Sequence, residues 1–382
     1  MKLIHLSDLH LGKRVNEFSM AEDQRYILAQ ILGIVDREKA EGVILAGDIY
    51  DKPVPSAEAV QMFDGFLTKL AEREIPIFVV SGNHDSAERL AFGAQLMSGR
   101  GVYLSPVYEG KVDPVRLSDS FGELDVWLLP FIKPSTVRHA FEEESVESYD
   151  DAVRVAVEHM EPDLSRRNVL VAHQFVTGAG RCESEEVSVG GIDNVDASAF
   201  DPFDYVALGH IHSPQHVGRP TVRYCGTPLK YSFSEAEQEK SVTVVEMREK
   251  GDVEVSTVPL VPLRDMRRIR GTYLEVTEKS FYENSNTEDY IQITLTDEED
   301  VPDGMQKLRI IYPNLMRLVY DNKRTRESRL VEGTEPVEKK SELELFEEFY
   351  ELQNNQPMSE AQKELAGKLI GEIRERRTGN NI

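Results

Sequence analysis

The sequence predicts an α/β protein with a mostly parallel sheet, followed by a small α+β unit and C-terminal helices. Three observations carry this. The apolar runs Leu3-Ile4-His5-Leu6, Gly42-Val43-Ile44-Leu45-Ala46 and Ile77-Phe78-Val79-Val80 alternate with two stretches of helical period. That is the pattern of a βαβαβ unit whose sheet is covered on both faces. A polar turn follows each run, and the composition shifts near Pro259 to Pro262.

Lys2 to Ser7 reads as a buried strand ending in Asp8-Leu9-His10. Ser19-Met20-Ala21-Glu22 has the form of a capping box, and Ile27, Ile31, Ile34 and Val35 give the helix behind it an apolar face. The second strand ends in Gly47-Asp48. Ser56 opens the next helix, with Val60, Phe63, Leu67 and Leu70 on one side. The third strand runs into Gly82-Asn83-His84-Asp85, with a helix starting near Ser86. From about Val115 the strands shorten, Trp127-Leu128-Leu129 being the clearest, and Ser148 to Met160 forms a helix with Val153, Ala156, Val157 and Met160 inward. Asn168 to Ala172 then delivers His173. The polar loop behind it holds Gly178, Gly180, Gly190 and Gly191, and loops of that length are functional or disordered. Tyr205 to Leu208 delivers Gly209-His210-Ile211-His212, and Val242 to Val245 closes the sheet region.

Residues 1–262 are thus expected to form one domain and 263–328 a small α+β unit. The strands of that unit are Tyr290–Leu295 and Leu315–Tyr320, with a helix inside Val301–Ile311. Residues 321–340 are charged and aperiodic, so the linker is placed at 329–340. Residues 341–382 read as two helices, opened by Ser341 with Glu344 and by Ser359 with Gln362.

A chain of 382 residues has ample length to bury a core. Its two cysteines, Cys182 and Cys225, form no close pair, which suggests a reducing compartment. Asp8 arrives too early for a signal peptide and no apolar run reaches membrane-spanning length, so the cytoplasm is the expected location. A net charge of −24 argues against tight free-standing binding to DNA. It does not argue against cutting it, because bound divalent ions reverse the sign locally and a basic partner can supply the remaining affinity.

Asp8, His10, Asp48, Asn83, His173, His210 and His212 each stand just past an apolar strand. Nitrogen and oxygen donors without a thiolate suit manganese, iron or zinc better than magnesium or calcium. Seven donors exceed the needs of one four-coordinate ion but serve two ions that share a carboxylate. Two metals about 3.5–4 Å apart can clamp the attacking and leaving oxygens of a phosphoryl displacement. His84, beside a ligand, stands where a general acid or a stabiliser of transition-state charge is useful. Taken singly, each cluster has a plainer explanation: Asp48 as a helix cap, or Asn83 as a turn residue. Five clusters in order, holding five of the nine histidines, are not explained that way. His5, His139, His159 and His216 lack the context and are read as structural or solvated.

Asp8-x-His10, Gly47-Asp48, Gly82-Asn83-His84-Asp85, His173 and Gly209-His210-x-His212 resemble the five motifs of the calcineurin-like metallophosphoesterases. Val189-Gly190-Gly191 with Val195-Asp196-Ala197-Ser198, Asp204 to Gly209, and Gly226 to Phe233 narrow the resemblance to the SbcD family of bacterial Mre11-type nuclease subunits. The resemblance covers roughly residues 1 to 250. It implies a β-sandwich covered by helices and two divalent ions, most readily manganese. One ion would use Asp8, His10, Asp48 and His212. The other would use Asp48, Asn83, His173 and His210, with Asp48 bridging. His84 becomes the catalytic histidine, acting on the leaving oxygen, and Asp85 either orients it or caps a helix. Asp51 stands where archaeal and eukaryotic relatives carry a further histidine, as in the bacterial branch.

The resemblance also implies that residues 263–328 are a capping domain. Its Arg264, Arg267, Arg268 and Arg270 would face either a phosphate backbone or solvent. An SbcC-type (Rad50-like) ATPase would be gripped by Leu343, Phe346, Phe349 and Tyr350 of one terminal helix and by Leu365, Leu369, Ile370 and Ile373 of the other; the plainer alternative is that both helices pack on their own domain. A homodimer acting on double-stranded DNA ends and hairpins completes the expectation: a manganese-dependent endo- and exonuclease subunit. The competing readings are a phosphatase or phosphodiesterase for small substrates and a non-catalytic scaffold. The long polar loop and the C-terminal regions count against the first, and the intact ligand set against the second.

Overall fold

The three opening strands pair in parallel in the computed structural model, which describes residues 1–185, 194–325, 342–354 and 356–378. Val189 to Gly191, the 329–340 linker, and Ser341 with Glu344 as a cap fall outside what is described. The chain divides into two compact units, Met1–Met266 and Arg267–Ile382.

In the first unit, β1 (Lys2–Leu6) is followed by a small hairpin of β2 (Arg14–Val15) and β3 (Phe18–Ser19) and by α1 (Ala21–Glu38). Next come β4 (Gly42–Ala46), α2 (Ala57–Ala71), β5 (Ile77–Val80), the short helices α3 (Ala87–Leu90) and α4 (Ala94–Ser98), and β6 (Val102–Leu104). β4 and β5 are buried at every residue, which is why their sequences run apolar without alternating. The predicted Ser19 cap does not form. Ser19 is held in β3 opposite Arg14, so the N-cap position of α1 falls on Met20, which makes no side-chain cap. Val60 is also displaced from the expected stripe and is 44% exposed. The inward face of α2 is Ala59, Met62, Phe63, Phe66, Leu67 and Leu70, one position round the helix.

The second sheet takes β7 (Val115–Asp119), β8 (Gly122–Leu129), β9 (Arg167–His173), β10 (Tyr205–Gly209), β11 (Gln215–Val217) and β12 (Arg219–Tyr224). Its order is β11-β12-β10-β9-β8-β7, parallel through β8, β9, β10 and β12 and antiparallel at both edges. The chain then returns to the first sheet as β13 (Ser241–Met247), antiparallel to β1, and β14 (Val253–Pro259), antiparallel to β13. Val242 to Val245 therefore does not close that sheet; β14 is its edge.

The two sheets pack face to face as a sandwich. Ile44, Ala46, Phe78 and Val80 meet Val126, Leu128, Val169, Val171, Tyr205 and Ala207 in one cluster. The outer face of the second sheet is covered by α5 (Pro134–Ala140) and α6 (Tyr149–Glu158). α6 is opened by a reciprocal capping box between Ser148 and Asp151 and buries Val153, Ala156 and Val157, as the sequence led one to expect.

In the second unit β15 (Met266–Gly271), β16 (Tyr290–Leu295) and β17 (Leu315–Tyr320) form a sheet, with β16 and β17 parallel. The helix expected inside Val301–Ile311 is shorter, Gly304–Leu308. The arginine cluster at the 263 boundary is not a free basic face. Arg264 binds Glu22 at 2.7 Å, Arg267 binds Asp289 at 2.7 Å and Arg270 binds Asp321 at 2.6 Å. In a chain this acidic, carboxylates reach those guanidiniums first. The last two helices are Glu342–Asn354 and Glu360–Thr378, and the Ser359–Gln362 cap forms as read. The Ile373 side chain lies outside the described set. Among the described residues no helix is long and apolar enough to cross a membrane.

Candidate metal centre

Each strand that was read as delivering a polar cluster ends at one place, where the parallel parts of both sheets bring their carboxyl ends together. β1 releases Asp8 and His10, β4 releases Asp48, β5 releases Asn83 and His84, β9 ends on His173, and β10 leads into His210 and His212. The turns bend sharply: Asp8, His10, Asp48 and His210 all have positive φ, between 44° and 101°. Such conformations cost on the order of 1–3 kcal/mol each and persist only where the surroundings enforce them. Cross-turn bonds do the enforcing. Asp8 N–H donates to Gly47 O and His10 N–H to Asp48 O, both at 2.9 Å. His84 N–H donates to Asp48 Oδ1 at 2.9 Å and His210 N–H to Asp8 Oδ1 at 3.0 Å. Two glycines permit the approach: a Cβ on Gly82 would overlap Asp48 Oδ1, and one on Gly209 would overlap Ala46 O.

The donor atoms converge. His10 Nε2 lies 3.2 Å from His212 Nε2 and 3.7 Å from Asp48 Oδ2. His173 Nε2 lies 3.4 Å from Asp48 Oδ2 and 3.0 Å from Asn83 Oδ1, which His210 Nδ1 meets at 2.9 Å. His84 Nε2 approaches Asp48 Oδ2 at 3.9 Å. The seven other residues singled out from the sequence thus stand around Asp48.

The chain matches the calcineurin-like phosphoesterase family model over residues 1–214. Residues 262–354 match the model of the type 5 capsule protein repressor C-terminal domain. Across its length it is 32% identical to the SbcD subunit of the nuclease SbcCD from Staphylococcus epidermidis, covering 98% of this chain and 100% of that one. The chain belongs to the SbcD family of calcineurin-like phosphoesterases. Membership makes it a metal-dependent hydrolase. A dimetal phosphatase from Danio rerio superposes with a TM-score of 0.39 at 12% identity, over 68% of this chain and 99% of that one; likeness this slight carries no argument.

The electrostatics of the centre fit a divalent cation. Asp8 and Asp48 are buried, and among the described residues the ion pairs of Asp48 are all with imidazoles. Burial pushes the Asp8 carboxyl up to about 7, and the Asp48 charge adds to the rise. Burial works on Asp48 in the same direction, but the imidazoles around it, His173 first, hold it well below the usual carboxylate range. Burial disfavours charge on His173, yet Asp48 outweighs this and lifts that ring to about 9. Burial pushes His210 down to about 3 and also lowers His10 and His212, so these rings offer lone pairs. Three sets of donors lie within 4.8 Å of one another: Asp8, His10 and His212; Asp8, Asp48 and His173; and His10, Asp48 and His84.

Asp85 does neither of the things expected of it. Its carboxylate accepts the backbone N–H of Tyr50 at 2.9 Å, Gly82 at 3.0 Å and Ile49 at 3.1 Å, buckling the Asp48 turn to the Asn83 turn. The helix cap is Ser86 instead. The His84 ring is oriented by the Asp51 carbonyl, which lies 3.1 Å from Nδ1, while the Asp51 carboxylate pairs with Lys13 at 2.7 Å. His5 is structural, its Nδ1 2.9 Å from Tyr205 OH, and His139, His159 and His216 are exposed. Sequence reasoning missed Ser184, Glu185, Glu235 and Lys240, which surround His212. None of them follows an apolar strand, so the strand-end rule had no hold on them.

Proposed function

We propose that this chain is the nuclease subunit of an SbcCD-type complex and hydrolyses DNA phosphodiesters by a two-metal mechanism. The observation that supports it best is the gathering of six nitrogen and oxygen donor residues and His84 around one buried carboxylate, Asp48. Asp8, His10, Asp48 and His212 would hold one ion; Asp48, Asn83, His173 and His210 would hold the other, manganese being the natural choice for this donor set. Bound there, the ions supply positive charge at the scissile phosphate and lower the pKa of water.

The protein's own part is positional. Asp48 lies between the two donor sets, and the left-handed turns aim Asp8 and His10 into the site with no freedom to swing away. The Asp51 carbonyl can only accept, so His84 Nδ1 keeps its hydrogen and Nε2 faces the centre. His84 therefore protonates a leaving oxygen through Nε2 in its imidazolium form, which also places positive charge at the developing alkoxide.

Residues 1–262 act as the nuclease domain and 263–328 as a capping domain against DNA, joined by the 329–340 linker to the helices of 341–382. Those helices expose Phe346, Phe349, Leu365 and Leu369, and in this reading they bind the ATPase partner. The complex works as a homodimer of this subunit in the cytoplasm, on nucleoid DNA ends and hairpins, with both endo- and exonuclease action. The test is the purified chain with manganese, offered hairpin DNA and a small phosphodiester, with and without the ATPase. ATP-stimulated hairpin cleavage is expected. Hydrolysis of the small ester alone would replace this reading with that of a small-substrate phosphodiesterase.

A further inference from the structure

His212 is gripped more completely than the other ring of its pair. Its N–H donates to Glu185 Oε1 at 2.7 Å, and its carbonyl accepts Thr227 N–H at 3.1 Å and Lys240 Nζ at 2.9 Å. Its outer ring nitrogen, Nδ1, lies 2.7 Å from Ser184 Oγ. Ser184 Oγ in turn lies 2.6 Å from Glu235 Oε1, and Glu235 Oε2 accepts Lys240 Nζ at 2.6 Å. Glu235, Lys240 and His212 are all buried. Across the site, His10 Nδ1 is buried without a hydrogen-bond partner among the described residues, and Asp51 Oδ1 stands 3.8 Å away.

For a neutral His212 ring, the hydrogens in this chain of contacts have one consistent arrangement. Glu235, paired with Lys240, is an acceptor, so the Ser184 hydroxyl hydrogen goes to it. The Ser184 oxygen then has only lone pairs to offer His212, so Nδ1 must carry the ring hydrogen. That leaves Nε2, 3.2 Å from His10 Nε2, as a bare lone pair aimed into the centre. An imidazole ligates through its deprotonated nitrogen, and the group bonded to the other nitrogen fixes both tautomer and orientation.

We propose that Ser184 and Glu235 are positioning residues for His212: the Lys240–Glu235–Ser184 chain locks its Nδ1–H tautomer and presents Nε2 to a divalent cation. This deepens the two-metal reading and rests on it for the statement that His212 is a ligand. It also gives the polar loop after His173 a role, since the Arg181–Glu185 stretch brings both Ser184 and Glu185 onto His212.

The experiment uses the full chain, labelled with nitrogen-15 in its histidine rings, and measures manganese binding on the same samples. The His212 signal is assigned by its loss in His212→Gln. Metal-free wild type should show His212 as the Nδ1–H tautomer alone. Ser184→Ala should mix the tautomers and weaken one of two manganese-binding steps by about 10–100-fold. Ser184→Thr, which keeps the hydroxyl, should restore both. An unchanged tautomer in Ser184→Ala would overturn the proposal, even if affinity fell. So would unchanged affinity with the tautomers mixed. Wild type that keeps the tautomer but binds no manganese would defeat the two-metal reading instead, leaving the hydrogen arrangement measured.

Discussion

The centre around Asp48 and the pair of terminal helices are inversions of each other. At the strand ends, carboxylates and imidazoles are buried where apolar groups would be cheaper: Asp8 and His173 are fully enclosed and Asp48 nearly so. On the terminal helices Phe346 and Phe349 are 43% and 57% exposed, where polar groups would be cheaper. A fold selected for stability alone would place neither. The buried cluster is held by cross-turn hydrogen bonds at positive φ. The terminal helices leave Phe346, Phe349, Leu365 and Leu369 exposed, which suits a surface finished by another molecule. In the proposed reading, the buried polar groups would serve chemistry within one molecule, and the exposed apolar ones contact between molecules.

The largest loss is expected at the polar pole. Asp48→Ala removes the carboxylate shared by both donor sets, so both ions and all cleavage should be lost; anomalous scattering from manganese-soaked crystals checks the ions. Retention of both ions would show that Asp48 is no bridge. His84→Ala should lower cleavage by about 10²–10⁴-fold while both ions still bind. Loss of metal in step with activity would make His84 a ligand rather than the acid.

The sandwich between the sheets supplies a neutral standard. Phe78→Ala removes a fully buried ring and should cost about 3–5 kcal/mol in urea denaturation while leaving metal stoichiometry unchanged. Metal itself should act the other way. Saturation with manganese at a hundredfold over Kd should stabilise the fold by about 2.7 kcal/mol per site, and a chelator should remove that gain. A thermal transition indifferent to manganese would mean that the centre does not couple ion binding to folding. The smallest effect on the chain alone belongs to the exposed pole. Phe346→Glu with Phe349→Glu should shift stability by no more than about 0.5 kcal/mol. Size-exclusion chromatography should nevertheless show that the double variant no longer co-elutes with the ATPase. Undiminished co-elution would place the joint elsewhere.

Local sequence was enough to mark the central parallel strands, the helices between them and the residues around Asp48. Strand burial writes an unbroken apolar run, and a parallel sheet can present chemistry only where such runs stop, so Asp8, Asp48, Asn83, His173 and His210 announce themselves locally. Folding decided what lies one contact further out. That β13 and β14 rejoin the first sheet, that Arg264 meets Glu22, and that Asp85 ties Tyr50 to Gly82 are all pairings at a distance. Ser184 and Glu235 are 51 residues apart, and no period or spacing in the chain relates them. A hydrogen bond needs its two partners in one place, and only the folded chain sets that place for residues with no shared local pattern.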